Sequence, residues 1–446
     1  MRPVSSASVA VFRMAFGIAM VGNVALYLPV LVDSYYTDTT THFPYGALTF
    51  VSPLPRPGMH LIYVAMGVTG ALIALGRWYR TAAWSFFALT TYVFLLDSSY
   101  FQNHEYLVSL LALLLALLPV DRRWAMDLRV HPERASPTVP AWVVWLLRFQ
   151  IGIPYFFGGV AKLNADWLRG EPLRAWLAAR TDIGPIDAVL TNANVVWTMT
   201  YGALALDLLV VPLLLWRRTR AAAFVVVTCF HLLNAWLFGL FIFPWLMIAA
   251  TTIFFAPDWP ERVLAAWRSR THATPGATGD RPAAPTGRNA SLRPVLVGAL
   301  AIWVVVQLTL PLRHYAIDGS PNWTEQGHRF AWHMKLRDKS GTATFHVGDA
   351  GSAVPVDPAD HLGDHQLNRL AGHPERLVHF ARHLSALHDG AEVRVDTSVS
   401  LNGRRPQPIV DPDVDLASVP LVDWGRRPWI LPLEEPLRPG SRGPDG

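Results

Sequence analysis

The stretch Val9–Val32, VAVFRMAFGIAMVGNVALYLPVLV, is apolar apart from Arg13 and Asn23. A run of this length can cross the hydrocarbon core of a membrane as a helix. It follows a short basic start, but it is too long for the core of a signal peptide, and no small-residue cleavage site closes it. We therefore predict a retained first span of a helical membrane protein.

Eight further apolar segments have nearly the same length, and together with the first they predict a bundle of about nine transmembrane helices. They lie at 60–76, 81–96, 105–120, 141–160, 195–215, 221–238, 243–256 and 294–312. The segment 243–256 is short, so we expect a tilted or half-buried helix there.

The arginines between these segments fall on alternate connections, at 77–80, 122–134, 217–220 and 262–293. Positive charge accumulates on cytoplasmic loops, so this distribution predicts a cytoplasmic amino terminus and an extracytoplasmic carboxyl terminus. The net charge of +5 follows from this orientation, and no nucleic-acid partner is needed to explain it.

Composition supports contact with membrane lipids and excludes several kinds of site. Hydrophobic residues make up 52% of the chain and charged residues only 16%. The single Cys229 lies in the seventh segment, so one chain can form neither a disulfide framework nor a CxxC redox pair. No zinc spacing, phosphate loop, nucleophile elbow or dinucleotide fingerprint is present, and we predict no metal.

The composition changes after the last apolar segment and predicts a second domain. We expect a transmembrane domain over 1–313, with a cytoplasmic linker at 257–293, and an extracytoplasmic β-rich, β-sandwich-like domain over 314–446. Period-two alternation predicts strands at Phe330–Leu336, Thr342–Val347 and Val393–Leu401. A helix is expected at about 370–388, and Asn402-Gly403 predicts a turn.

Lys162 ends the fifth apolar segment, and the only other lysines are Lys335 and Lys339. A lysine in an arginine-rich chain offers a nitrogen that can lose its proton when desolvated and then act as a base. The neighbouring Gly158-Gly159 allows a ligand or another helix to approach closely. The alternative is a snorkelling lysine with its ammonium among the lipid headgroups.

Three ionisable side chains, Lys162, His104 and His314, lie at the outer ends of predicted spans. His104 follows Asn103 at the start of the fourth span, where an interfacial structural role is the alternative to a catalytic one. His231 lies inside the seventh span, and structural and functional roles are equally open for it.

Several motifs, in this order along the chain, resemble the vitamin K-dependent gamma-glutamyl carboxylases and their bacterial relatives with an HTTM domain. They are Tyr92–Asp97 leading to Asn103-His104, Gly158–Trp167, Pro257–Pro260, Leu310-Pro311 with His314, Asn322–Thr324, Ile409–Pro412 and Trp429–Leu433. The resemblance covers almost the whole chain and implies a multi-span helical domain followed by a β-rich external domain.

The resemblance also implies a reaction. Lys162 would deprotonate reduced vitamin K or a menaquinol, and His104 would support the oxygenated quinone intermediate, with O2 and CO2 as co-substrates. We expect a glutamate-containing peptide or protein as the partner. The residues expected at the quinol are Asn103, Gly158, Gly159 and His231, and those expected at the glutamate are His314, Trp323, His328 and Trp332.

Two other functions stay open. One is a quinol-dependent epoxidase that acts without protein carboxylation, and the other is a non-enzymatic membrane-anchored binding protein. The enzyme hypotheses require Lys162 to be desolvated and near His104, whereas the binding hypothesis expects Lys162 to face the headgroups. No prediction of oligomeric state follows from the sequence.

Overall fold

The computed structural model describes residues 2–39, 41–46, 48–180, 184–271, 294–349, 351–421 and 427–437. Helices make up most of the chain before Ala316, and the larger of two small antiparallel sheets lies beyond it. The smaller sheet pairs β1 (Pro3–Ser5) with β2 (Thr138–Pro140), which joins the start of the chain to the entry of the fifth predicted span.

Six helices of the described residues are long and apolar enough to cross a membrane. They are α1 (Ala7–Tyr27), α2 (Arg56–Leu75), α5 (Ala141–Lys162), α8 (Ala193–Leu215), α9 (Arg220–Phe238) and α12 (Pro294–Thr309), which continues as a tighter turn to Ala316. Each overlaps a segment predicted from apolar length.

The other three predicted spans are helical but shorter or less apolar, so the count of nine spans is not confirmed. They are α3 (Tyr79–Leu96), α4 (Asn103–Leu117) and α10 (Phe243–Thr251). The α3 helix opens on the polar Tyr79, Arg80 and Thr81, and the others reach only 15 and 9 residues. A helix rises about 1.5 Å per residue, so α4 and α10 are too short to span alone without tilt or bilayer thinning.

Arg13, the charge inside the first span, has a structural role in the bundle. Its guanidinium is buried and donates to the carbonyl oxygens of Ile73, of Ala74 at 2.8 Å and of Trp124 at 2.8 Å. Carbonyls at the carboxyl end of a helix lack intrahelical partners, and the helix dipole favours a cation there. Arg13 thus satisfies the end of α2.

Shorter helices connect the spans or belong to the predicted domain over 314–446, which is called the outer domain from here on. They are α6 (Leu173–Ala178), α7 (Pro185–Leu190), α11 (Trp259–Thr271), α13 (Pro321–Thr324), α14 (Asp364–Leu367) and α15 (Pro374–Leu387). The predicted linker at 257–293 therefore begins with a helix, and its part from 272 to 293 lies outside the described residues.

The outer domain is built on a three-stranded antiparallel sheet in the order β4-β3-β5. Its strands are β3 (Lys339–Val347), β4 (Val354–Val356) and β5 (Val393–Leu401), and Phe345 pairs with Val395 at the centre. One face packs against α15, where Phe345 and Phe380 meet edge to face at 4.8 Å. The strands predicted at Thr342–Val347 and Val393–Leu401 and the helix at about 370–388 are confirmed.

Two predictions for the outer domain are wrong. The described residues of the outer domain contain one three-stranded sheet, so a β-sandwich-like arrangement is not found. The segment Phe330–Leu336 is a loop, because Phe330, Trp332 and Lys335 have φ of +62°, +59° and +50°. Positive φ is incompatible with a strand, although the sequence alternates as a strand would.

The outer domain docks on the helical bundle through polar and aromatic contacts. Asp166, in the loop after α5, accepts bonds of 2.7 Å from both terminal nitrogens of Arg404 and from the amide of Asn402. The ring of Trp332 lies 5.0 Å from that of Tyr106 in α4. The loop that follows Lys162 is thus tied directly to the outer domain.

Candidate functional site

Lys162 is in the last turn of α5 and points into the bundle. Its side chain is only 6% exposed, and its Nζ lies 2.6 Å from Oδ2 of Asp207 in α8. The same nitrogen is 3.4 Å from the carbonyl of Gly158 and 5.1 Å from the centre of the Trp167 ring. This position differs from that of a snorkelling lysine, whose ammonium would lie among the headgroups.

Gly158 and Gly159 hold α5 and α8 close together. A Cβ on Gly159 would lie 2.7 Å from Cδ2 and 3.1 Å from the backbone nitrogen of Leu208, so only glycine allows this spacing. A Cβ on Gly158 would lie 3.3 Å from the Asp207 carboxylate. Both were predicted to contact a cofactor, but neither is among the residues that line the two cavities described below. They bring the carboxylate to the lysine instead.

Asp207 was missed by the sequence analysis. It is the single acidic or basic residue in α8, and a carboxylate within an apolar span is costly unless it is paired. That signal alone marks it as a functional candidate. Its partner was not predictable, because Lys162 lies 45 residues away in sequence.

A cavity of about 420 Å³ opens beside the Lys162–Asp207 pair, between α5, α8, α9 and α10. Its walls are mainly apolar, and Lys162, Asp207, Tyr155, His231 and Asn234 supply polar groups. Tyr155 and Lys162 are seven residues apart and therefore lie on one face of α5. The Tyr155 hydroxyl is hydrogen-bonded to Nε2 of His231 at 2.7 Å, which fixes the predicted His231 at this apolar cavity.

A second, polar cavity of about 530 Å³ lies between the bundle and the outer domain. Asn103, His104, His328 and His333 line it. The Asn103 amide donates to the carbonyl of His333 at 3.0 Å. The predicted residues Asn103 and His104 therefore belong to this polar cavity rather than to the one that contains Lys162.

The two cavities adjoin. Both are lined by Trp176, Leu240, Phe243, Met334 and Lys335. The Phe243 ring lies 5.4 Å from that of His104 and 6.1 Å from that of His231. His104 and Lys162 thus face neighbouring cavities, with Phe243 at the junction.

The polar cavity is rich in cations, since six basic side chains and three carboxylates line it. Arg329 is paired with Glu375, and Glu325 accepts from Arg337 at 2.6 Å and from Lys339 at 2.9 Å. Burial, partly offset by Glu325, lowers the pKa of Lys339 to about 8. The excess of positive charge favours an anionic ligand.

Histidines form one wall of this cavity. Burial, reinforced by the charge of Arg337, holds the pKa of His328 well below its usual value. Burial also lowers the pKa of His333 to about 3, and neither of its ring nitrogens has a hydrogen-bond partner among the described residues. His333 was missed from the sequence, and its signal was a histidine directly after the predicted Trp332. Nε2 of His328 already accepts from Arg337, whereas the neutral His333 ring can donate at one nitrogen and accept at the other.

Three residues predicted at the glutamate do not line the polar cavity. His314 is buried and its Nδ1 lies 2.9 Å from the carbonyl of Pro311, while its ring is 4.8 Å from that of His333. Trp323 donates to the carbonyl of Leu431 at 2.8 Å inside the outer-domain core. Trp332 packs in the core of the bundle. His314 and Trp323 nevertheless contact residues of the cavity wall: the ring of His314 packs against His333, and that of Trp323 packs against Lys339.

Comparison with known families supports this division of the chain. Residues 1–259 match the HTTM domain, and residues 292–436 match the vitamin K-dependent gamma-carboxylase lumenal domain. No solved structure matches the chain. The two matches indicate a function like that of the vitamin K-dependent gamma-carboxylases, in a multi-pass membrane protein with a lumenal domain.

Proposed function

We propose that this chain, which belongs to the family that joins an HTTM domain to a vitamin K-dependent gamma-carboxylase lumenal domain, couples the oxygenation of a reduced quinol to the carboxylation of a glutamate side chain. One observation carries the proposal. A buried Lys162–Asp207 pair lines an apolar cavity that adjoins a cationic one. One cavity suits an apolar aromatic reductant and the other suits an acidic substrate.

The apolar cavity fits reduced vitamin K or a menaquinol. Its volume of about 420 Å³ is in the range of ligand sites, and its walls are mainly apolar with a few polar groups, as such sites commonly are. Leu206, Phe230, Leu233 and Leu237 from α8 and α9 offer surface for an aromatic ring and an isoprenoid chain. Lys162 and Asp207 offer the polar contacts for a phenolic hydroxyl.

Lys162 is the proposed base. When bound, the reduced quinol supplies the chemistry that no side chain has, because its oxygenated form can remove the weakly acidic γ-hydrogen of glutamate. The neutral Lys162 amine accepts a phenolic proton at Nζ, and the Asp207 carboxylate 2.6 Å away offsets the positive charge that forms. Burial of the pair excludes water from this transfer.

His104 and Asn103 are proposed to act from the polar side of the junction. Asn103 is fixed by its bond to the His333 carbonyl, and its own Oδ1 has no partner among the described residues. His104 is held against Phe243, where its ring borders the polar cavity. Both can hydrogen-bond a group that extends past Phe243.

The polar cavity is proposed to receive the acidic substrate. His328 and His333 contribute neutral hydrogen-bonding groups. His314, Trp323 and Trp332 pack behind the cavity wall and do not line the cavity. The arginine distribution supports a cytoplasmic amino terminus and an outer domain that begins near residue 314, facing outward. We expect α3, α4 and α10 to complete the membrane-embedded layer.

The proposal is tested by supplying the purified, reconstituted protein with reduced vitamin K or menaquinol, O2, CO2 and a glutamyl peptide. Quinone epoxide is measured by chromatography and carboxylated peptide by mass spectrometry. Lys162→Ala should abolish both products, and Lys162→Arg should do the same because a guanidinium stays protonated. The exposed Arg169→Ala, in the loop after α5, serves as the control. Full activity of Lys162→Arg would remove Lys162 from the mechanism.

A quinol-dependent epoxidase without carboxylation is the second candidate. It is favoured by the positions of Trp323 and Trp332, which were expected at the glutamate but lie in hydrophobic cores. Epoxide without carboxylated peptide, over a range of glutamyl substrates, would select this candidate. Absence of epoxide with either quinol would select the non-enzymatic binding protein.

A further inference from the structure

All three lysines of the chain line the two cavities, whereas the other 35 of its 38 lysine and arginine residues are arginines. Lys162 lines the apolar cavity, Lys339 lines the polar cavity, and Lys335 lines both. Lys162 is paired with Asp207 and Lys339 with Glu325. Among the described residues, Lys335 has no carboxylate within ion-pair distance, so its charge is available to a ligand.

The ammonium of Lys335 is directed at the junction between the cavities. It lies 4.5 Å from the centre of the Phe238 ring and 5.5 Å from that of Trp176, and the side chain is exposed to the cavity space. Aromatic rings attract and orient an ammonium without neutralising it. Burial by the surrounding protein, with a contribution from Arg369, lowers the pKa of Lys335, while Asp338 opposes that shift.

The backbone that presents Lys335 is strained. Phe330, Trp332 and Lys335 all have positive φ, a conformation that L residues other than glycine adopt at a cost. Trp332 is packed in the bundle against Tyr106, and Asn103 holds the carbonyl of His333, so the loop is fixed between Phe330 and Lys335. Strain that is retained against this cost indicates a functional position.

We infer that Lys335 binds the side-chain carboxylate of the acidic substrate at the junction of the two cavities, an assignment that rests on the proposed function. A carboxylate that approaches the apolar cavity loses its hydration and needs a cation in compensation. The γ-carbon next to it must reach the quinol cavity, and Lys335 is the basic side chain of the polar cavity that also lines the apolar one.

The other cations of the polar cavity are engaged elsewhere. Arg329 is paired with Glu375, and Arg337 is paired with Glu325. Arg369 donates to the carbonyl of Ser99 at 3.0 Å, and Arg376 donates to that of Ser98. These four side chains supply the positive field that attracts an acidic substrate, while Lys335 supplies the direct contact.

A lipid phosphate offers the same anionic chemistry as a substrate carboxylate. The test therefore measures the KM for a glutamyl tripeptide and the KM for reduced vitamin K in phosphatidylcholine nanodiscs, with and without phosphatidylglycerol. Lys335→Met should raise the KM for the peptide by about tenfold or more, because a charge-assisted contact is lost. The KM for the quinol should change by a smaller factor than the KM for the peptide, because the quinol cavity keeps its other lining residues.

Two controls separate charge from folding. Lys335→Arg keeps the charge and should retain most of the affinity for the peptide, and the exposed Arg405→Met should behave as wild type. Thermal stabilisation by the peptide, measured without quinol, gives a readout that needs no turnover. If Lys335→Met loses this stabilisation and the two control variants keep it, the assignment is supported. This holds even if the wild-type protein forms no epoxide, and in that case only the proposed reaction fails.

Three outcomes overturn the inference. The first is that the wild-type protein is active and Lys335→Met has the same KM for the peptide and the same thermal stabilisation by the peptide. The second is an effect that appears only with phosphatidylglycerol and alters the KM for the quinol, which would assign Lys335 to a lipid phosphate. The third is an equal loss in Lys335→Arg and Lys335→Met, which would make size rather than charge the determinant.

Discussion

Nζ of Lys162 and Oδ2 of Asp207 lie 2.6 Å apart across the contact between α5 and α8, and both side chains are buried. The two side chains form an ion pair once Nζ holds a proton, and a buried ion pair contributes little net stability, because the two charges lose about as much hydration energy as they regain from each other. Its retention beside an apolar cavity is better explained by proton transfer than by folding.

Replacement of Asp207 by asparagine should impair both stability and activity. The change keeps the shape of the side chain but removes its charge. The protonated Lys162 ammonium is then buried without a counter-charge, which costs about 3–5 kcal/mol. Because each 1.36 kcal/mol is tenfold in rate, we expect epoxide formation to fall by at least about 100-fold. The measurement is epoxide formation at saturating quinol, together with a thermal unfolding scan.

The double replacement Lys162→Met with Asp207→Leu separates the two effects. An apolar pair of similar volume should restore thermal stability, whereas activity should stay lost. Asp258→Asn, at a surface pair with Arg262, provides the matched control for the single variant. Wild-type epoxide formation in Asp207→Asn would show that the carboxylate has no part in the reaction.

Gly159→Ala should separate α5 from α8. The added Cβ would lie 2.7 Å from Cδ2 of Leu208 and 3.1 Å from its backbone nitrogen, so the helices must shift. Overpacking of this kind costs about 1–3 kcal/mol, and the shift should lengthen the Lys162–Asp207 contact and lower activity.

Thermal scans of two further variants accompany this measurement. One is the single variant Gly298→Ala, and the other is the double variant Gly159→Ala with Leu208→Ala. A Cβ on Gly298 meets nothing within 4 Å, so that variant should unfold near the wild-type temperature. The double variant should recover part of the lost stability. A Gly159→Ala protein as stable and active as wild type would contradict the close approach of the two helices.

Local sequence patterns predicted much of the fold. Apolar length located the six long helices, and alternation located β5 at Val393–Leu401 with the observed bounds. The count of nine spans is not confirmed, because apolar composition does not give helix length, and α10 ends at Thr251 in a tighter turn. The strand predicted at Phe330–Leu336 is wrong because alternation does not report backbone conformation, and Phe330, Trp332 and Lys335 have positive φ.

The candidate site was only partly predictable, because its contacts join distant parts of the chain. Lys162 was selected by its rarity, but its partner Asp207 comes from α8, and His333 and Lys335 come from the outer domain. Residue type identified Trp323 and Trp332 as important without distinguishing a ligand contact from a core position. Those distinctions depend on tertiary packing, which a single sequence does not encode locally.

Asp166 should stabilise the contact between the domains in a pH-dependent way. Burial alone would raise its pKa, but hydrogen bonds from Arg404 and Asn402 outweigh burial and lower the pKa below the usual 3.8. The stabilisation is therefore fully present above pH 3.8 and is lost as the pH falls through the lower folded-state value.

The corresponding variant is Asp166→Asn, which should lower the free energy of unfolding by about 2 kcal/mol at pH 7. Thermal scans between pH 7 and pH 3 should show the gap to wild type narrowing only at the acid end. Asp396→Asn, at a carboxylate that is 67% exposed, is the control. A gap of constant size down to pH 3 would contradict the role of the ionised carboxylate.

His333 should make the protein acid-sensitive over a different range. Burial, followed by the charges of His314, Arg337 and Arg313, lowers its pKa from 6.5 to about 3. Below pH 6.5 the unfolded chain binds a proton that the folded chain does not, so stability falls by about 2 kcal/mol between pH 7 and pH 5 from this group alone. His333→Phe, which leaves no unpaired ring nitrogen, should lose correspondingly less stability over that interval in thermal scans, and His388→Gln at an exposed histidine is the matched control. Equal acid sensitivity of wild type and His333→Phe would mean that this imidazole is protonated in the folded protein, and the neutral hydrogen-bonding role proposed for it in the polar cavity would then fail.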